Sequence, residues 1–253
     1  MNTFFFIVVL CFSLFSSVAS AGAGTTHGTA SVLEKGEWEL GMYAPLRRGI
    51  GNGIELSMHP LVALRSPHLA LKKAWQTDGD WQITSRHSLL YPTPLLRTLS
   101  KEGTGGIIVA DAVIPPILAT DNRLILGRSL AEETTLSLSA RVMLGAELGE
   151  SAWPSIHMPL AYTRTAAYQD KLSTAMGAQL DGPLFSTFYY RLDFDGWYLP
   201  LSEARWATEL KSTVHWRPSD GFTMQAGGTT VVGAYPYGNS WHILPAFDLI
   251  WRW

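Results

Sequence analysis

The chain has 253 residues, 47% of them hydrophobic and 16% charged, with a formal net charge of −2. A charged share below the usual value of about 25% fits a protein that sets much of its surface against lipid, and the near-neutral balance leaves no electrostatic case for nucleic acid. The single cysteine, Cys11, excludes a disulfide framework and a thiolate metal site.

At the start, Phe4 to Val18 form an apolar run that ends at Ala19-Ser20-Ala21, a small-x-small cleavage pattern. Residues 1–21 therefore read as a secretory signal peptide, with Gly22 opening the mature chain. The other reading is an N-terminal anchor, for which the run is short of the ~20 residues that a helical span needs. Leu10, before Cys11, is not the small residue that a lipid-attachment site carries. Beyond residue 21 no apolar run approaches the length of a transmembrane helix. A membrane crossing would have to use strands.

Alternation with a period of two then dominates the chain. Trp38, Leu40 and Met42 oppose Glu37, Glu39 and Gly41. Leu136, Leu138, Ala140, Val142 and Leu144 oppose Thr135, Ser137, Ser139, Arg141 and Met143. Leu172, Met176, Ala178 and Leu180 oppose Lys171, Ser173, Gly177 and Gln179. Leu184, Phe188, Tyr190, Leu192 and Phe194 oppose Thr187, Tyr189, Arg191, Asp193 and Asp195. Between Ala204 and Arg217 the even positions include Trp206, Leu210, Val214 and Trp216, and the odd ones include Arg205, Glu209, Lys211 and His215. In a strand such sets lie on opposite faces.

Gly51-Asn52-Gly53, Thr77-Asp78-Gly79-Asp80, Asp181-Gly182-Pro183 and Pro218-Ser219-Asp220-Gly221 read as tight turns between antiparallel neighbours. Strands of roughly 9–13 residues suit a tilted span. Trp38, Trp75, Trp81, Trp153, Trp197, Trp206, Trp216, Trp241, Trp251 and Trp253 fall near expected strand ends. Of these Trp38, Trp75, Trp206, Trp216, Trp241, Trp251 and Trp253 are the candidate aromatic girdle.

Residues 91–121 break the pattern. Thr93-Pro94 is placed to cap and open a short helix that carries Leu95, Leu96 and Leu99 and ends at Gly103, followed by a strand through Ile107–Ala112. The segment is expected to be an irregular plug or lid. The total comes to about 12 strands, with 10 or 14 as alternatives. Counting both Ile107–Ala112 and Arg123–Gly127 as spans would make the number odd.

The last segment, Trp241 to Trp253, puts Trp241, Ile243, Phe247, Leu249, Trp251 and Trp253 on one face and His242, Asp248 and Arg252 on the other. It resembles the C-terminal strand of bacterial outer-membrane β-barrel proteins, which ends on an aromatic residue with apolar residues at alternate positions. The resemblance implies an all-β fold, a transmembrane antiparallel meander β-barrel formed by residues 22–253. It also implies a Gram-negative outer-membrane location, contact with outer-membrane lipid, and recognition of Trp241–Trp253 by the barrel-assembly machinery.

On that fold the expected lumen-lining charges are Glu37, Glu39, Glu55, Lys72, Arg86, Arg141, Lys171, Arg191, Asp193, Asp195, Glu203, Arg205, Glu209, Lys211, Arg217, Asp248 and Arg252. Their signs are mixed, whereas a strongly selective pore shows a ring of one sign. The expected function is a narrow channel or a porin-like barrel that binds a small polar solute. The alternatives are an outer-membrane lipid-modifying enzyme and a structural or surface-interaction barrel with a sealed lumen. Arg86-His87-Ser88 offers a nucleophile and a base, but neighbouring strand residues face opposite ways. Asp193, Asp195 and His215 are spaced for contact at a rim, and His59, His157 and His242 are scattered. Glu102-Gly103-Thr104-Gly105-Gly106 lacks the lysine of a phosphate loop and reads as a hinge. No catalytic residue, metal cluster or cofactor is expected.

Overall fold

The structure is a computed structural model, and it describes residues 28–75, 80–104, 107–110, 112–131, 133–154, 156, 158–236 and 238–253. The expected signal peptide, His157 and the Thr77–Gly79 part of one turn lie outside these residues. The strands are β1 Trp38–Gly41, β2 Leu46–Gly51, β3 Ile54–Met58, β4 His68–Trp75, β5 Trp81–Leu90, β6 Ile117–Ala131, β7 Thr134–Glu147, β8 Leu172–Phe185, β9 Phe188–Tyr198, β10 Trp206–Ser219, β11 Phe222–Tyr235 and β12 Gly238–Arg252. Among the described residues three helices interrupt them: α1 Pro60–Ala63, α2 Thr93–Leu99 and α3 Pro159–Asp170. Each strand pairs antiparallel with its neighbours, and β1 closes on β12 through Leu40 opposite Trp251. The fold is a closed antiparallel meander barrel of 12 strands.

The alternation on β10 and β12 shows why. On β10, Glu209, Lys211, Thr213 and His215 are buried and point inward, while Trp206, Leu210, Val214 and Trp216 are exposed. On β12, Asp248 and Ile250 are buried, while Trp241, Ile243, Phe247 and Trp251 are exposed. The outward aromatics form two rings. Trp206 and Trp216 lie ten residues apart on β10, as do Trp241 and Trp251 on β12. At about 3.3 Å per residue and a tilt of about 40°, that spacing sets the rings about 25 Å apart along the axis, the height of the apolar band of an outer-membrane barrel.

The two ends differ. Tight connections such as Gly51–Ile54 and Phe185–Phe188 lie at one end, together with Trp38 and Trp253. Asn52 and Gly53 have φ of 53° and 68°, the left-handed pair of a type I′ hairpin. The long connections, with α1, α2 and α3, all lie at the far end.

Three expectations are corrected. The described residues 107–110 and 112 form no strand, and Arg123–Gly127 lies within the long strand β6, which restores an even number. Asp181-Gly182-Pro183 is not a turn: β8 runs on to Phe185, and the reversal comes at Ser186-Thr187, with Ser186 at φ 48°. Thr93 lies inside α2, and its hydroxyl donates to Pro115 O (3.1 Å) and accepts from Ile117 N (2.7 Å), tying the helix to β6.

Candidate functional site

The barrel interior is the candidate site, and three layers fill it. Nearest the termini, buried Arg47 bridges Glu39 (2.5 Å) and Glu55 (2.7 Å), and Arg252 reaches Glu39 at 3.1 Å. A strap of residues 28–36 runs across this end inside the wall. Leu33 N donates to Glu55 Oε2 (3.1 Å), Lys72 Nζ donates to Ser31 O, and Thr84 Oγ1 donates to Ala30 O. Gly49 admits the strap, since a Cβ there would stand 1.7 Å from Glu34 O.

In the middle layer, Asp121 accepts two bonds from Arg141 (2.7 and 2.6 Å) and one from Arg86 (3.3 Å). Arg123 bonds Ser139 Oγ at 2.8 Å and lies 3.7 Å from Asp195. On β9, Arg191 pairs with Asp181, which also accepts from Gln179 Nε2 (2.6 Å). Arg141–Asp121, Arg86–Asp121 and Arg191–Asp181 link neighbouring strands along the inner wall, and Arg123–Asp195 joins β6 to β9 across the lumen, where an unpaired charge would be costly.

The third layer is a plug. The α3 helix packs chiefly against β7 and β8 through small residues. Ala161, Thr163, Ala166 and Ala167 are fully buried. Gly145 on β7 lets the helix approach, because a Cβ there would lie 2.1 Å from Ala167 O. Arg164 anchors the helix: it donates to both oxygens of Glu209 (2.8 and 2.6 Å), and Thr163 Oγ1 donates to the same carboxylate at 3.0 Å. The Trp197 ring lies beneath the guanidinium carbons of Arg141 and Arg164, at 5.0 and 5.2 Å from its centroid. It thereby joins the plug to the middle layer. Above α3, an apolar cluster including Leu95, Leu96, Leu99, Ile114, Trp153, Ile156 and Tyr168 roofs the mouth. Burial pushes the Tyr168 phenol up to about 12, with Asp121 adding to the rise.

The expected residues are distributed unevenly. Glu39, Glu55, Lys72, Arg191, Asp193, Asp195, Glu209, Lys211 and Asp248 are buried inside the barrel, and Arg86, Arg141, Arg217 and Arg252 are half-buried there. Asp248 accepts from Tyr43 N and Ala44 N at 2.9 Å each, fixing the β1–β2 turn. Glu37 precedes β1 and is half-buried, while Lys171, Glu203 and Arg205 are exposed on far-end connections. Trp75, Trp206, Trp216, Trp241, Trp251 and Trp253 are exposed, and half-buried Trp38 stacks under Arg48 at 4.7 Å. Trp153 and Trp197 are buried in the far-end roof and in the lumen, not at an outer ring.

The catalytic pairings considered do not assemble. His87 faces outward and meets Asn122 Oδ1 at 2.8 Å, while Ser88 faces inward. Asp193 pairs in register with Lys211, four residues from His215, whose Nε2 meets Thr213 Oγ1 at 2.8 Å. His59 caps α1, and its Nδ1 accepts from Val62 N (3.3 Å). Among the described residues no group of three or more His, Cys, Asp or Glu could hold a metal. Reasoning from sequence missed Arg47, Asp121, Arg123, Asp181 and the whole of α3.

No protein-family model matches the chain, and no curated protein matches it. Among solved structures it is similar to the crystal structure of the outer membrane channel DcaP of Acinetobacter baumannii, with 7% identity and a TM-score of 0.37 over 83% of this chain. The match takes in 61% of that channel, so the chain spans about three fifths of its length. A likeness of that degree says nothing of what either barrel carries.

Proposed function

We propose that the protein is a plugged outer-membrane channel, closed at rest by α3 and opened by withdrawal of that helix to pass a small polar solute. The observation that carries this reading is the manner of closure. The outermost of the three layers is a separate connection, seated on alanines and Gly145 and latched by the buried ion pair Arg164–Glu209. Against β7 the contact is made by Ala167 and Gly145 rather than by interlocked side chains.

Support for the membrane location comes from the outward face, with an apolar band about 25 Å tall between two Trp rings. Short turns mark the periplasmic end of such barrels and longer loops the extracellular end. That orientation places both termini and the strap in the periplasm and α3 at the outside. Export by residues 1–21, insertion by the barrel-assembly machinery through Trp241–Trp253, and a Gram-negative host belong to the same reading.

Support for a polar solute comes from β9–β11, where buried Asp193 Oδ1, Lys211 Nζ and Gln225 Oε1 have no hydrogen-bond partner among the described residues. Each such atom costs about 1–3 kcal/mol. A small solute with both donors and acceptors would satisfy them. We take the protein to be non-enzymatic, although the buried Thr213 Oγ1 lies 2.8 Å from His215 Nε2, and the lipid assay below tests that reading.

The second reading, a sealed structural barrel, draws on the pairs that link neighbouring strands, Arg47 with Glu39 and Glu55 above all. Planar-bilayer recording separates the two. The channel reading expects rare discrete openings from the native protein and frequent ones from Glu209→Ala. Silence from both would leave the sealed barrel. Lipid hydrolysis abolished by His87→Ala or His215→Ala would revive the enzyme reading.

A further inference from the structure

We propose that the β3–β4 connection, residues 59–67 with α1, lies inside the membrane and completes a low section of the barrel wall against outer-leaflet acyl chains. The proposal rests on the membrane location argued above.

The wall is uneven. Residues opposite one another in register lead from Trp206 in the upper ring through Tyr198, Thr174, Val142, Asn122, His87, Leu71, Leu56 and Arg48 to Trp38. Trp38 stands beside Trp253, in the lower ring. In a barrel tilted by about 40° each step along that path descends about 3 Å, so the path falls through the whole belt. Leu56 lies seven steps down, and β3 rises only two residues above it, to Met58. By the same geometry β1, β2 and β3 stop about 15–20 Å below the upper ring. A span needs about 9–11 residues, and these strands have 4, 6 and 5. Strands alone cannot fill the outer half of the belt there.

The connection that rises from β3 has an outward surface that is apolar but for the exposed Arg65, whose long side chain can carry its charge toward the headgroups, and the backbone to fill the gap. Leu61 and Leu64, three residues apart on the helical turn, are 57% and 77% exposed, and they continue the outward apolar row of Met58 and Leu69. Irregular backbone survives in lipid only if its polar groups are satisfied internally. Here Ala63 N donates to His59 O (2.8 Å), Ser66 N to Val62 O (2.7 Å) and Tyr91 N to Pro67 O (2.8 Å). The two imidazoles close the ends: His68 Nε2 accepts from His59 N (2.8 Å), and His68 Nδ1 meets Ser66 O at 2.8 Å.

The test places bimane on Leu64→Cys or Leu61→Cys, each in a Cys11→Ser background, in vesicles containing lipids brominated along their acyl chains. Leu210→Cys, in the middle of the belt, and Asn52→Cys, on a near-end turn, are the references; heat-modifiable migration certifies folding of each. The expected result is that Leu64 and Leu61 labels lose most of their fluorescence to the brominated chains, as Leu210 does, while Asn52 does not. Quenching at Leu210 with none at Leu64 and Leu61 would overturn this proposal and leave the membrane reading standing. No quenching at Leu210 would remove both. Disulfide-linked pairs of Leu64→Cys chains without quenching would replace lipid by a second copy of the chain and refute the proposal.

Discussion

Replacing Gly145 by alanine tests whether α3 is the gate. The added Cβ would stand 2.1 Å from Ala167 O, a backbone atom with no rotamer to yield, so helix and wall must separate by about 1.5 Å to reach ordinary contact. Gly145 is not among the positive-φ residues, so alanine suits the strand itself. Overpacking of this kind costs about 1–3 kcal/mol, borne by the plugged state alone. That bias raises the ratio of open to closed channel by about 5–150-fold. Single-channel recording in planar bilayers reads the ratio, with Gly228→Ala as control because its Cβ meets nothing nearer than 3.5 Å. A Gly145→Ala protein that migrates as a folded barrel and keeps the native open-to-closed ratio would refute the assignment of α3 as the gate.

Glu209→Ala leaves the Arg164 guanidinium buried without its carboxylate and is expected to cost about 3–5 kcal/mol in urea titrations followed by heat-modifiable migration; an unchanged midpoint would contradict the latch. Leu210→Arg puts a charge on the outward face near the middle of the belt and should cost about 2–4 kcal/mol in the same titration. Lys211→Arg, one residue along and inside the barrel, should cost far less, and equal costs would contradict the face assignment. Gly49→Ala drives a Cβ into Glu34 O and should expel the strap, freeing the backbone after Lys35 to enter the trypsin site in the folded barrel. A strap as resistant as the native one would argue against its seat. Lys211→Met should slow uptake of a zwitterionic solute more than that of a neutral one of equal size, as measured by liposome swelling.

The faces of β10 and β12 are legible in the sequence because every residue there meets either the outside or the lumen, and each environment selects its own chemistry. Asp121 is hidden by the prolines before it, which make the segment look irregular through residue 121, past the start of β6 at Ile117. Asp181 sits in a run that has turn composition yet continues as strand, because Gly182 and Pro183 still pair with Tyr190 and Tyr189. Helix α3 shows no apolar stripe, since one part of its surface meets alanines and another meets the buried Glu209. The strap has no pattern of its own. Its place depends on Gly49 and Gly127, glycines on other strands whose missing side chains make the room.

Solute permeation with and without the plug tests the central claim most directly. Native protein and a variant with residues 156–169 replaced by a short Gly-Ser link would be reconstituted in liposomes and challenged with neutral and zwitterionic solutes of increasing size. A lumen closed by α3 predicts slow swelling for the native barrel, fast swelling for the variant, and rates that fall as solute size grows. A folded variant as impermeable as the native protein to every solute would contradict the channel and leave a sealed barrel.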